Sequence, residues 1–594
     1  MDLKANVKLL NYSRKMLLDD TEGMVPFPIR VQKPEFTGKA PQRLPRCTPE
    51  EAGVASGLVE TLLRRLSEAG DSDTHGCLVI RGGKVLCEGF FAPYTPRYWH
   101  VTHSMCKSVM GTAIGMLADE GLLDLDEHVC DIFPDKCTLR TTRRNKAITV
   151  RHLLTMSSGA NFREVGCVLD ADWVKAFLEA DVLFEPGAQF DYNSMNSYVL
   201  SAILQRKTGM TAYDYLTPRL FGPLGFGDVA WETCPLGVNK GGWGMYVFLE
   251  DIAKVGQLYL NKGLWNGQRL LSEAWVDEAT QVHMVSAQKE EYGYQLWPRT
   301  SDQVYMFNGM FGQYVVMAPD LDMIVAVNAG AGHLFTRSQS YAAVRAFVNA
   351  VRAGEAGGED GPRRLAFALE HLTFGEALPP FPVAEHQTLR QRLRARLLAR
   401  LAGRGEDAPG EAQLAAEALA GKQFTFGKNN KGLLPMVIAV MNDWYTRGVD
   451  GIAFRKEAGQ LWMDWTESGQ LQRVPLGFGQ AAGFTLDAGG NHFAAAATAR
   501  FLYDEDRRPV LKVTVNLLES SSSRIVKLVL NPDGTAVLKL AETPPLMSAM
   551  ESVRRTSPTA TQALDLFKDA DYLNYRVERF CEPQLKAQAA EVNP

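Results

Sequence analysis

The sequence lacks the cysteine and histidine patterns that bind metals or form disulfide frameworks. Its nine cysteines include no Cys-x-x-Cys pair and no Cys/His ligand spacing, and their number is odd. Free, mostly buried thiols in a reducing compartment fit this usage best, which predicts a cytoplasmic protein. No HExxH, Walker loop or dinucleotide fingerprint occurs either. We therefore expect no metal, nucleotide or other cofactor.

Strong charge and long apolar runs are also absent. A net charge of −5 over 594 residues is mild, so the chain has no basic footprint for nucleic acid and no feature that attracts an anionic membrane. Charged residues interrupt every apolar run in residues 1–20, so we expect neither a signal peptide nor a membrane-spanning helix there. We therefore expect the protein to bind a small molecule and neither nucleic acid nor a membrane. The sequence does not decide whether it forms a homo-oligomer.

The stretch from Trp99 to Leu122 carries the clearest chemical signal. Ser104 and Lys107 are three residues apart at the start of a run with helical periodicity. Residues three apart share one helix face, so the Lys107 amine can reach the Ser104 hydroxyl and take its proton. The helix N-terminus would add free N–H groups near a reacting carbonyl. This arrangement is typical of an acyl-transfer serine site.

The spacing alone is a weak signal, because a second Ser-x-x-Lys occurs at Ser286–Lys289. That copy lies in a polar run with no apolar helix behind it, so we expect a solvated loop there. Ser104 could equally be an ordinary residue at a helix start, followed by a surface lysine one turn on. The surrounding sequence has to decide between these interpretations.

The surrounding sequence resembles the penicillin-recognising serine hydrolases, which comprise class C β-lactamases, DD-peptidases, family VIII esterases and nylon-oligomer hydrolases. The likeness extends from roughly Arg43 to Val351. The segments that carry it are SMCKSVMGTAIGMLADEGLLDLDEHVCDIFPD, ITVRHLLTMSSGANF, FEPGAQFDYNSMNSYVL, YGYQLW and FNGMFGQYVVMAPDLDMIVAVN. It implies a β-lactamase-like α/β fold, with an antiparallel sheet and a helical lobe.

The resemblance implies roles for two residues outside the Ser104 helix. Tyr192 matches the tyrosine of the family's Tyr-x-Asn motif, whose phenol moves protons to and from the nucleophile and the leaving group. Ser194 stands where the family most often has Asn. Nylon-oligomer hydrolases and some esterases also carry Ser at this position, so the difference points away from a β-lactamase. Literal Tyr-x-Asn strings occur at 259–261 and 572–574. The first is expected to end a helix and the second lies in the C-terminal tail, so we assign neither to the site.

The family's third motif, Lys-Thr-Gly or His-x-Gly on a strand, aligns with Phe307-Asn308-Gly309-Met310. Gly309 matches, and the N–H of Met310 would form the oxyanion hole with that of Ser104. Phe307 replaces the cation that pairs with a substrate carboxylate, which favours a neutral ester, amide or lactone. A literal Lys-Thr-Gly at 207–209 ends a helix, so it should not line the site.

The remaining reactive side chains are expected to serve packing. We assign no catalytic role to His100, His103, His128 or His152, because no GxSxG elbow occurs and Ser104 has a nearer base. Cys106, inside the Ser104 motif, is expected to be a small core residue.

Changes in pattern divide the chain into four parts. We expect an arm at 1–42, the hydrolase-like domain at 43–353, a linker with a basic helix at 354–423, and a β-rich domain at 424–594. Alternating runs split by Gly and Asn-Pro-Asp-Gly turns predict a small antiparallel, lipocalin-like barrel in the last part, followed by a terminal helix.

The sequence therefore predicts a serine hydrolase that cleaves a small ester or amide through an acyl-enzyme on Ser104, with Lys107 and Tyr192 as acid and base. Ser194, Phe307, Asn308, Gly309 and Met310 are the expected binding residues. Two alternatives remain: an activity of the β-lactamase or DD-peptidase type, and a non-catalytic ligand-binding protein that retains the fold.

Overall fold

The computed structural model describes residues 33–164, 167, 171–332, 338–382, 410–442, 446, 448–545, 579 and 582–589. The predicted basic helix at 386–405, the string at 572–574 and most of the N-terminal arm lie outside these residues. Within the described ranges, no helix combines the length and hydropathy needed to cross a membrane.

A six-stranded antiparallel sheet forms the centre of the first domain. Its strands, in spatial order, are Trp297–Arg299, Val304–Gly309, Gln313–Ala318, Met323–Ala331, Ser72–Arg81 and Lys84–Phe90. Two of its connections are tight turns: Gly82 and Gly83, both with positive φ, join the last two strands, and a turn at Pro319–Leu321 joins the third and fourth. In the sequence, an Arg-Gly-Gly turn and a Pro-Asp turn, each between two apolar runs, predict these hairpins, and the structure confirms both.

Helices cover both faces of this sheet. Ser56–Ser67, Gln339–Arg352 and Gly361–Glu370 pack their apolar residues on one face, and Cys106–Asp119 and Leu249–Leu260 pack on the other. The helical lobe consists of Val129–Ile132, Arg143–Lys146, Val150–Leu154, Trp173–Glu179, Ser194–Thr208, Ala212–Leu216 and Glu273–Ala279. Short strands complete the domain at His100–Val101, Ala230–Trp231, Met245–Val247, Leu264–Trp265, Gln268–Arg269, Met284–Val285 and Glu291–Tyr292.

The second domain is a sheet of eleven strands that curls into a nearly closed barrel. Its pairs are antiparallel except for the short strand Gly477–Phe478, which runs parallel to Asn491–Tyr503. Its order is Gln470–Pro475, Gln460–Glu467, Val449–Glu457, Gln423–Phe426, Gln584–Ala589, Ala536–Thr543, Ser523–Leu530, Pro509–Leu517, Asn491–Tyr503 and Gly477–Phe478, with Ala482–Ala488 also on Asn491–Tyr503. The edges meet where the Gln472 side chain donates to the Asp487 carbonyl at 2.7 Å and accepts from its N–H at 3.1 Å. The barrel has more strands than the eight of a lipocalin.

The segment between the two domains is more structured than the predicted linker. The helix Gly361–Glu370 buries Leu365 and Ala368 in the first domain's core, which continues to Leu378. The helix Glu411–Leu419 buries Ala415 and Leu419 in the barrel core, and a further helix runs over Met436–Asn442. Apolar residues within the predicted linker, 354–423, therefore belong to the two cores: those up to Leu378 pack on the first domain, and those from Ala415 pack in the barrel.

Candidate active site

Ser104 lies in a single 3-10 turn, His103–Met105, that leads directly into the helix Cys106–Asp119. His103 has a φ of 47°, which only a few per cent of non-glycine residues adopt. The Ser104 side chain is partly buried. The expected helix start is therefore confirmed, with a tight turn in place of a capping side chain.

The Lys107 amine is almost fully buried and has three hydrogen-bond partners. Its Nζ lies 2.9 Å from Ser104 Oγ, 2.9 Å from Ser194 Oγ and 2.6 Å from the carbonyl oxygen of Gly242. Gly242 approaches closely because it lacks a Cβ, which would lie 3.4 Å from this Nζ and 2.8 Å from the Ser194 carbonyl oxygen. The structure thus brings Ser104, Lys107 and Ser194 together, and sequence reasoning missed Gly242.

Tyr192 lies beside this group. The Lys107 Nζ is 5.1 Å from the centre of the Tyr192 ring. The same ring packs against Trp297, with centroids 5.5 Å apart, and edge-on against Tyr292 at 6.2 Å. An aromatic wall therefore holds the tyrosine next to the lysine.

Two further side chains anchor the backbone around Tyr192. Arg163, itself buried, donates to the Tyr192 carbonyl oxygen at 2.9 Å and pairs with Asp191 through the same guanidinium. The Asn193 amide donates to the carbonyl oxygens of Ala160 and Phe162 at 2.9 and 3.0 Å. Sequence reasoning missed Arg163, because an arginine in a loop carries no local signal of its partner.

The third motif ends the strand Val304–Gly309, as the alignment predicts. Gly309 presses against the turn that holds Ser104, since a Cβ there would lie 2.4 Å from the Thr102 carbonyl oxygen. Met310 follows at the strand end and is partly exposed. The Asn308 side chain is buried, and neither of its polar atoms has a hydrogen-bond partner among the described residues.

Phe307 lies in the core and not on an open wall. It has no exposed surface, and its ring packs edge-on against Tyr259 with centroids 5.4 Å apart. Neighbouring strand residues point to opposite faces, so Phe307 joins one core cluster while Met306 joins the other. The structure therefore does not place the Phe307 side chain with the other predicted binding residues.

The second Ser-x-x-Lys, at 286–289, lies in a turn, and the literal Lys-Thr-Gly, at 207–209, lies at a helix end, as the sequence predicts. Ser286 organises an exposed turn by accepting from the N–H groups of Gln288 and Glu290. Lys207 pairs with Glu127 at 2.8 Å near the end of the helix Ser194–Thr208, and Gly209 ends that helix with a φ of 71°. Neither copy lines the Ser104 site.

The buried histidines and Cys106 have strongly shifted pKa values. Burial lowers the pKa of His103 to about 3 and that of His100 to about 4, so both are neutral at pH 7. Burial raises the pKa of Cys106 to about 12, which makes it an unreactive thiol. His152 completes a helix cap with Thr149. Among the described residues, no cluster of three His, Cys, Asp or Glu residues is arranged to hold a metal ion.

Comparisons with known proteins identify the first domain. Residues 59–348 match the protein family described as Beta-lactamase. The 6-aminohexanoate-dimer hydrolase of Paenarthrobacter ureafaciens is 27% identical over 250 residues, which cover 39% of this chain and 63% of that protein. The match thus spans less than two thirds of that relative's length.

Solved structures give weaker likenesses. A family VIII carboxylesterase is 16% identical, with a TM-score of 0.40 over 55% of this chain and 99% of that chain. The octameric penicillin-binding protein homologue from Pyrococcus abyssi is 15% identical, with a TM-score of 0.39 over 81% of this chain and 96% of that chain. From the family match and the sheet-and-helix architecture, residues 59–348 of this chain form a domain of the beta-lactamase family.

Proposed function

We propose that this protein is a serine hydrolase that cleaves a small, neutral ester or amide through an acyl-enzyme on Ser104. The observation that carries the proposal is the 2.9 Å contact between Lys107 Nζ and Ser104 Oγ at the start of a buried helix. In its neutral form, the amine can take the hydroxyl proton as the oxygen attacks a carbonyl.

The other residues fit the remaining steps. As Ser104 Oγ bonds to the substrate carbon, the carbonyl oxygen becomes an oxyanion that the N–H groups of Ser104 and Met310 would stabilise. Tyr192 would pass the proton from Lys107 to the leaving alcohol or amine as its bond breaks. Water then attacks the acyl-enzyme by the reverse proton transfers, which restores Ser104 and releases the acid.

One observation supports a neutral substrate, and a second supports cleavage of an amide. Phe307 occupies the position of the family's cation, and it is buried, so this strand position offers no charge to a carboxylate. The similarity to a 6-aminohexanoate-dimer hydrolase is consistent with cleavage of a short amide.

We also propose that the chain consists of two folding units. The boundary between them lies, along the sequence, between the core residues Leu378 and Ala415.

A fluorophosphonate probe tests the nucleophile. The wild-type chain and Ser286→Ala should be labelled, while Ser104→Ala should not. Labelling of Ser104→Ala at the wild-type level would refute the assignment, and loss of labelling in Ser286→Ala would show that the wrong pair had been chosen.

A substrate panel tests the chemistry. We expect p-nitrophenyl esters or short anilides to be hydrolysed with a far higher kcat/KM than a chromogenic cephalosporin. Efficient cephalosporin turnover would favour the β-lactamase alternative. No turnover of any substrate and no labelling would favour the non-catalytic one.

A further inference from the structure

A loop of the barrel domain contacts the turn His103–Met105, which contains Ser104. This segment, Leu518–Ser522, is called the barrel loop below, and its side chains are buried. Its Glu519 carboxylate accepts from Trp99 Nε1 at 2.6 Å, and its Glu519 carbonyl oxygen accepts from the Val101 N–H at 2.9 Å. The loop is thus bonded to the strand His100–Val101, which runs directly into the Ser104 turn.

Ser521 makes the contact nearest to the nucleophile. Its Oγ lies 2.8 Å from His103 Nε2, and both side chains are buried. Its backbone lies against the central sheet, because a Cβ on Gly330 would come within 2.6 Å of the Ser521 carbonyl oxygen. Ser521 therefore has a fixed position between the sheet and the Ser104 turn.

His103 connects this contact to both sides of the proposed oxyanion hole. It precedes Ser104, and its ring packs edge-on against Phe311, with centroids 5.3 Å apart. Phe311 directly follows Met310, and both His103 and Phe311 have positive φ values, of 47° and 66°. Backbone conformations of this kind persist only when the surrounding structure holds them.

We propose that the barrel domain helps to position the active site, and that Ser521 is a positioning residue that fixes His103 and thereby the Ser104 backbone. This inference rests on the proposed role of Ser104. His103 itself takes no proton from Ser104, since its Nε2 is engaged by Ser521 and Lys107 already contacts the hydroxyl. The barrel loop thus supplies rigidity from a domain outside the beta-lactamase match.

The chain offers a matched control for the test. Ser522 lies next to Ser521 and is equally buried, at 1% exposure, but the hydrogen bond to His103 Nε2 comes from Ser521. In the full-length chain, we expect Ser521→Ala to lower the limiting rate at which the fluorophosphonate phosphonylates Ser104 about tenfold, equivalent to about 1.4 kcal/mol. The half-saturating probe concentration should stay within twofold. Ser522→Ala should match wild type, and Ser521→Thr, which keeps the hydroxyl, should recover most of the rate.

Hydrogen exchange provides a readout that does not depend on activity. Peptides covering 99–108 should exchange faster in Ser521→Ala than in Ser522→Ala, because the turn has lost its support. An unchanged phosphonylation rate in a folded Ser521→Ala protein, or equal exchange in the two variants, would overturn the inference. An unlabelled wild type with the expected exchange difference would refute the proposed function and leave the positioning contact standing.

Discussion

Arg163 donates a hydrogen bond of 2.9 Å to the backbone carbonyl oxygen of Tyr192. The same guanidinium pairs with Asp191, and the exposed fractions of the two side chains are 8% and 22%. A residue from a separate loop therefore contacts the carbonyl oxygen of the proposed proton-transfer tyrosine and the carboxylate of the residue before it. Hydrogen bonds that involve a charged group are stronger than neutral ones, so this arginine can fix the position of the loop.

Replacing Arg163 should damage turnover more than binding. In Arg163→Met we expect kcat to fall about tenfold to a hundredfold with KM nearly unchanged, because a misplaced proton donor acts on the chemical step. The loss of a partly buried ion pair should also lower the free energy of unfolding by about 2–3 kcal/mol, between the surface and buried limits. Steady-state kinetics and urea titration measure the two effects.

The matched control for this prediction is Arg206→Met. Arg206 pairs with Asp135 on the surface, with exposed fractions of 41% and 51%. Its removal should cost at most about 1 kcal/mol and leave kcat unchanged. Equal kinetic effects of the two substitutions would contradict a specific role for Arg163.

Ser194→Ala should slow catalysis without unfolding the protein. The substitution removes one of the three acceptors around Lys107 Nζ. We expect kcat to fall about tenfold, the equivalent of one net hydrogen bond of about 1.4 kcal/mol. Ser201 lies on the same helix and is fully buried, but its Oγ has no hydrogen-bond partner within the described ranges. Ser201→Ala is therefore the control, and a wild-type kcat in Ser194→Ala would show that this hydroxyl does not influence the amine.

Phe307→Lys should destabilise the first domain and leave recognition of carboxylates unimproved. The ring is fully buried against Tyr259, so the substitution removes about 3–5 kcal/mol of packing and places an ammonium in an apolar core. Thermal unfolding should show a much lower Tm than that of Phe307→Leu, which keeps an apolar side chain. A stable Phe307→Lys protein with increased turnover of anionic substrates would show that this side chain reaches the substrate after all.

The buried histidines should make the protein sensitive to acid. The pKa values of His103 and His100 are lowered from 6.5 to about 3 and about 4, because burial disfavours the charged ring. Between pH 6.5 and 4, the unfolded chain binds protons that these folded histidines do not. The free energy of unfolding should therefore fall as the pH decreases, and these two groups contribute at most about 2.7 kcal/mol per pH unit to that fall.

Asp251 opposes part of this effect, since burial raises its pKa from 3.8 to about 6 and its folded form binds a proton in the same window. Urea titrations at pH 7 and pH 5 should show a net loss of stability in the wild type. His100→Gln should show a smaller loss over the same interval. An identical pH dependence in wild type and His100→Gln would contradict the assignment to the buried histidines.

Local features of the fold were predictable from the sequence because they depend on neighbours in the chain. The spacing of Ser104 and Lys107 places both on one helix face, and the structure has them 2.9 Å apart. Gly121 and Gly209 end their helices with φ values of 69° and 71°, as a residue without Cβ permits. The two tight hairpins follow from the same kind of local turn chemistry.

Only the tertiary structure decided which distant groups complete the site. The Gly242 carbonyl lies 135 positions after Lys107, and Ser521 lies 418 positions after His103, distances at which no periodicity relates two residues. The face on which Phe307 lies depends on strand register, because a shift of one residue reverses the direction of every side chain. The sequence by itself therefore determined the contact between Ser104 and Lys107 and the family likeness, whereas packing between elements far apart in the chain decided what surrounds and supports this pair.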